Sequence, residues 1–157
     1  MSTPINDLRL LLINEMIASQ SLATESDIQR FRDTHKLQLP DDLVEYFKTV
    51  NGTDSKYDEN FFQFYSLENF RSIEQMYHIW EGIPDYKAVT KVLPDHQNCF
   101  VISDYSIHAI SHAIRLSPVE SQGNDVYAIC GATYTQVARS FTEFATLYVN
   151  NLSSLLP

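Results

Sequence analysis

Five histidines, two cysteines and a few carboxylates are the residues best suited to chemistry, and their spacing argues against a catalytic or metal centre. His108 and His112 stand four apart, while His35, His78 and His96 are scattered along the chain. On a helix a spacing of four puts both imidazoles on one face, as zinc ligands require. Here the pair falls in a segment that reads as a strand, where the same spacing separates the rings by about 13 Å. Cys99 and Cys130 lack a Cys-x-x-Cys spacing. They read as two buried thiols of a reducing compartment, with a bridge between them left open. Asp41 and Asp42 are adjacent, but neighbouring helix positions diverge by about 100°, so they read as helix-start charges and not as an acid–base pair. The chain has four glycines, and neither a Gly-x-Ser-x-Gly elbow nor a Gly-x-x-x-x-Gly-Lys phosphate loop. The expectation is a protein without enzymatic activity, metal or cofactor.

Two places suit binding better. Residues 41–60 hold six acids (Asp41, Asp42, Glu45, Asp54, Asp58 and Glu59) against Lys48 and Lys56. Trp80, Glu81, Asp85 and Tyr86 cluster in irregular chain, a composition that fits an interface anchor. Asp104 follows a strand-like run; its simplest role is to hold backbone N–H groups of the next turn, ahead of a partner contact.

Bulk properties agree with a binding protein. The formal net charge is −9 and the pI about 4.8. Such a body repels phosphate backbones and is steered towards basic proteins. Apolar residues make up 44% of 157, enough for one globular domain with a real core. No apolar run reaches the roughly 20 residues of a membrane span. Residues 1–21 lack the basic start of a signal peptide, so a cytoplasmic location is expected.

The elements that must position these residues centre on Leu39–Gly52. Pro40 suits a helix start, and Asp41, Asp42 and Glu45 suit its positive end. Leu39, Leu43, Tyr46, Phe47 and Val50 form one apolar face, and Asn51-Gly52 stops the helix. Before it, Thr3-Pro4 opens a helix running to about Ser21, and Thr24-Glu-Ser-Asp27 caps a second one ending near His35. Residues 51–60 read as a polar loop and 61–65 as the first strand. A helix capped by Ser66 then runs to about Trp80, and 81–98 reads as an irregular connection. Residues 98–103, 107–116, 125–130 and 134–138 read as strands, with a bulge near Ser111. Ser140-Phe-Thr-Glu143 opens the closing helix with a capping box. Strands joined by short turns pair antiparallel. The expected fold is a single α+β domain with a largely antiparallel sheet of about four to six strands flanked by helices.

The Leu-Pro helix ending in Asn-Gly resembles the opening of the SUKH superfamily. Val101-Ile-Ser-Asp104-Tyr105 is similar to that family's strand ending in Asp-Tyr, although Ser103 replaces a small apolar residue. Ser111–Leu116, Val126-Tyr127 and Ala138–Phe144 resemble the strands and closing helix that follow. The resemblance covers residues 24–150 and leaves 1–23 as an extra N-terminal helix. It implies a cytosolic immunity protein that neutralises a toxin domain, a nuclease among the candidates, by binding it. The alternatives are a regulatory interaction module like the family's fungal cell-wall regulator, and a small hydrolase. The expected partner is a basic protein, neither nucleic acid nor membrane. The candidate contact residues are Asp54, Asp58, Glu59, Trp80, Glu81, Asp85, Tyr86, Asp104 and Tyr105.

Overall fold

The computed structural model describes residues 2–80, 86–120 and 123–157, with the backbone alone at Tyr86 and Lys87. Glu81 and Asp85 lie outside the described residues, as does the side chain of Tyr86. Three helices open the chain: α1 (Pro4–Asn14), α2 (Glu25–His35) and α3 (Asp41–Thr49). Strand β1 (Phe62–Phe64) and helix α4 (Ile73–Ile79) follow. Four more strands, β2 (Cys99–Tyr105), β3 (Ile110–Arg115), β4 (Val126–Cys130) and β5 (Thr133–Ala138), precede α5 (Phe141–Asn150). The sheet order is β1-β2-β3-β4-β5, antiparallel throughout, so the fold is α+β as expected. Among the described residues no helix is long and apolar enough to cross a membrane.

Strand β5 is mostly exposed, but β1 to β4 are largely buried on both faces of the sheet. On one, Phe62, Phe64, Phe100, Ile102, Ile114 and Val126 join a core with Leu8 and Leu12 of α1, Tyr46 and Phe47 of α3, and Phe141 and Phe144 of α5. On the other, Cys99, Val101, Ala113, Tyr127 and Ile129 meet Ile73, Met76, Val89 and Leu93. α3 and α5 are also tied by polar contacts: Asp42 Oδ2 accepts from the Thr142 N–H at 2.8 Å and from its hydroxyl at 2.9 Å. Asp42 therefore satisfies a first-turn donor of α5 that the helix itself leaves open. Gly52, at φ 86°, sits where a Cβ would come within 2.7 Å of the Ser66 nitrogen, so no larger residue fits.

Several elements differ from the sequence reading. α1 stops at Asn14 rather than near Ser21, because Met16 turns left-handed at φ 62°. The segment expected to be one helix from Ser66 splits into a 3₁₀ turn (Leu67–Asn69) and α4. α4 has its own capping box, Ser72 with Gln75. The irregular connection holds 3₁₀ turns at Tyr86–Lys91 and His96–Asn98. The Ser140 capping box is half formed: Ser140 Oγ accepts from the Glu143 N–H, but the Glu143 carboxylate accepts from Arg139 N–H instead. β3 begins at Ile110, so His108 lies in a turn and not in a strand. The bulge is on β2: Val101 faces Ala113 and Ser103 faces His112, leaving Ile102 as the extra residue. Beyond it, Ser103 meets His112 beneath α5, and Asp104 turns to the α4 side of the sheet.

Cys99 is buried and Cys130 is exposed, and both are free, which corrects the expectation of two buried thiols. Burial pushes the Cys99 thiol up to about 12. A thiol-exchange reagent should therefore modify Cys130 within minutes in the native protein and reach Cys99 only on unfolding. Two rapidly reacting thiols in the native state would contradict this placement.

A candidate protein-interaction face

Asp104 is fully buried at the end of β2. Its Oδ1 accepts from the Tyr57 hydroxyl at 2.7 Å and the His108 backbone N–H at 3.2 Å. Its Oδ2 accepts from Gln63 Nε2 at 2.7 Å and the Tyr65 hydroxyl at 2.5 Å. The His108 imidazole completes the group, with Nδ1 3.2 Å from Oδ2. Burial, reinforced by this carboxylate, raises both tyrosine hydroxyls well above their ordinary pKa. The expected role of Asp104, holding the next turn, is met by the His108 N–H. With both oxygens engaged, the carboxylate organises chain and is not poised over a substrate.

What it organises is unusual. Ser106, Ile107 and His108 all have positive φ, at 53°, 53° and 67°. Such a conformation costs about 1–2 kcal/mol per residue for L-amino acids, and a β-branched residue there is a genuine outlier. The turn leaves Ile107 77% exposed. It also sets the His108 ring against Trp80, stacked at 3.9 Å and 20°.

A second buried carboxylate does the same one turn away. Asp58 Oδ1 accepts from the N–H groups of Asn60 at 2.8 Å and Phe62 at 2.9 Å, and Oδ2 accepts from the Tyr148 hydroxyl. Burial first, and then the charges of Glu15 and Glu59, push its pKa from 3.8 up to about 6, against the lowering effect of the two backbone donors. Phe61, inside this loop, has φ 68° and is 61% exposed. Its carbonyl accepts from Ser106 N–H at 2.8 Å, and its ring meets Tyr105 edge-on at 6.5 Å.

A third such residue stands beside these. Met16, with φ 62°, is 85% exposed. Glu15 just before it accepts the Glu59 N–H at 2.8 Å, and Ser19 just after it donates to Asp54 Oδ1 at 2.9 Å. Met16, Phe61 and Ile107 are therefore linked through Glu15–Glu59 and Phe61–Ser106 contacts into one end of the molecule. Exposed Asp54 and Glu59 and half-buried Glu15 and Tyr105 lie among them.

Of the expected contact residues, Asp54, Glu59, Tyr105 and Trp80 come together at this end. Asp58 and Asp104 lie beneath it, turned inward, where unpaired negative charge would be costly and hydrogen bonds hold it instead. Sequence reasoning missed Met16, Phe61 and Ile107. Positive φ is normally signalled by Gly or Asn, and Ser-Ile-His contains neither. Among the described residues no three His, Cys, Asp or Glu side chains gather as a metal site requires.

Residues 22–146 match the family model described as SMI1 / KNR4 family (SUKH-1). The chain belongs to the SUKH-1 family. No curated protein matches it. The SUKH-1 match takes in Phe61, Asp104, Ile107 and Trp80 but not α1, so Met16 and Glu15 are brought to the face by a helix outside it.

Proposed function

We propose that this chain is a cytoplasmic SUKH-1 immunity protein that neutralises a basic toxin domain by binding it, without catalysis, through the Met16–Phe61–Ile107 face. The observation that carries this reading is the display of three bulky apolar residues at positive φ on one end of the molecule. Strained backbone persists only where the surrounding structure holds it, and such strain concentrates at functional sites. Here buried Asp104 holds the Ile107 turn and buried Asp58 the Phe61 loop, while Glu15 ties the Met16 turn to the Glu59 N–H. Exposed apolar anchors ringed by charge have the layout of an interface core and rim. With a net charge of −9, the chain repels other acidic proteins and accelerates encounter with basic ones. Nuclease domains are basic where they grip phosphates, which makes them a fitting partner class.

The test is co-expression with candidate basic toxin domains, including any encoded beside its gene. The parent chain should restore growth. Ile107→Asp, at an exposed position and therefore folded, should lose rescue and weaken binding at least about 30-fold, the loss of one anchor. Failure of the parent chain to rescue would sink the neutralisation reading and leave the regulatory reading of the same fold. Full rescue by both Ile107→Asp and Phe61→Asp would move the interface elsewhere.

A further inference from the structure

A groove leaves the Asp54 corner of this face and runs towards α2. Its near half, about 230 Å³, is polar and includes Asp54, Gln63 and Glu68. Its far half, about 380 Å³, has Leu22, Ala23, Phe31 and Leu67 among its walls. The two halves share Ser21, Asn51 and Glu68. Asn51 makes the shared floor rigid: its Nδ2 donates to Ser21 O at 2.8 Å and its Oδ1 accepts Leu67 N–H at 2.9 Å. Both groups of that amide are therefore occupied by the fold, and no ligand has to displace them.

The charges along the groove are unbalanced. Asp27 pairs with Arg30 at the far end, at 3.2 Å. His35, in the far half, is held towards its neutral form by burial, so it adds no cation near neutral pH. Asp54 and Glu68 are exposed and neither forms an ion pair among the described residues, while the near half contains no Lys or Arg. Among the described residues Asp54 accepts only the Ser19 hydroxyl, at 2.9 Å, so an acidic occupant is repelled by both carboxylates and a neutral one gains nothing from their charge. A cationic side chain is attracted by both, and an apolar side chain two residues along an extended strand falls on the same side, facing the groove that continues past Ser21 and Asn51 towards Phe31.

We propose that the groove takes an extended basic segment of the partner protein, with an Arg or Lys side chain between Asp54 and Glu68 and the next apolar side chain against Phe31. This rests on the reading of the chain as a binder of a basic protein, and it names the feature of that protein that is recognised. The anchors of the face hold the partner's body, and the groove selects partners carrying an Arg-x-Leu type of loop.

The test uses the full chain, ¹⁵N-labelled, titrated with acetyl-Gly-Arg-Ser-Leu-Gly-amide and with the same peptide carrying citrulline for arginine. Shifts confined to residues 19–23, 51–55 and 63–69, and weakened several-fold by citrulline, are expected. Asp54→Asn and Glu68→Gln should each weaken binding about threefold, and together about tenfold, as exposed ion pairs do. Equal binding of the two peptides, shifts outside the groove, or no binding in the millimolar range would each overturn the proposal. Loss of peptide binding with toxin rescue intact removes the groove alone, and loss of rescue with peptide binding intact removes the immunity reading alone.

Discussion

Asp104→Ala should lower the unfolding free energy by about 3–5 kcal/mol, because it strands several buried donors at once. The hydroxyls of Tyr57 and Tyr65 and the Gln63 amide lose their shared acceptor, and the His108 N–H loses the contact that closes the turn. Asp104→Asn should cost roughly half as much, since an amide keeps one acceptor and a tyrosine hydroxyl can rotate to accept from its NH₂. Urea unfolding gives both numbers. Trp80 is the only tryptophan, and it stacks on the His108 ring. Its emission should therefore shift in native Asp104→Ala as the 106–108 turn relaxes. Partner binding should fall as well, since Ile107 is displayed by that same turn. A stability loss under about 1 kcal/mol, with Trp80 emission unchanged, would mean that the strained turn is held by something other than the carboxylate.

The fold was legible wherever one local signal decided it. α2 begins at Thr24 because its hydroxyl and the Asp27 carboxylate satisfy each other's backbone donors. α3 buries Leu43, Tyr46 and Phe47 because they share one face. The meander follows from short turns between strands. Ser72-Ile-Glu-Gln75 carried an equally clear signal for α4, but Ser66 offered a competing start, and only packing against the sheet decides between them. The proposed face is only partly written in the sequence. Acidity singles out Asp54 and Glu59, aromatic clustering Trp80, and the strand resemblance Tyr105. Composition does not reveal that Asp58 and Asp104 turn inward, since a buried and an exposed Asp differ only in the donors the fold brings to them. Nor does it reveal Met16, Phe61 and Ile107, whose positive φ is enforced by contacts distant in sequence: Glu15 with Glu59, Phe61 with Ser106, and Trp80 with His108.

Those contacts bring two oppositely shifted titrations into one region, and the pH dependence of stability should expose them. His112 is fully buried: its Nδ1 lies 3.0 Å from Ser103 Oγ, and its Nε2 2.9 Å from Leu155 O. A carbonyl can only accept, so Nε2 carries a proton; burial keeps the ring neutral, which leaves Nδ1 to accept from the serine hydroxyl. Burial lowers its pKa from 6.5 to about 4, partly opposed by the Leu155 contact and the charge of Asp104. Between those values the unfolded chain binds a proton and the folded one does not. Stability from His112 is therefore lost as pH falls through this window, by about 3 kcal/mol in all at ~1.4 kcal/mol per pH unit. Asp58 runs the other way. Its folded pKa of about 6 lies above the ordinary 3.8, so the folded chain binds the proton first and stability is gained as pH falls through that window. The two sites are joined through aromatic contacts: Tyr148 bonds Asp58 and meets Phe62, whose ring stacks on His112. In the parent chain their contributions largely offset between pH 6 and pH 4. Asp58→Asn mimics the protonated carboxyl at every pH, so its stability relative to the parent should decline as pH falls from 6 to 4. His112→Gln lacks the titrating ring, so its stability relative to the parent should improve over the same range. Urea unfolding of the three proteins at pH 7, 6, 5 and 4 gives both difference curves. Flat or parallel curves would show that neither group titrates differently in the folded and unfolded chain. Curves of opposite slope would show that the buried acid under Phe61 offsets the acid sensitivity of the buried imidazole beside it.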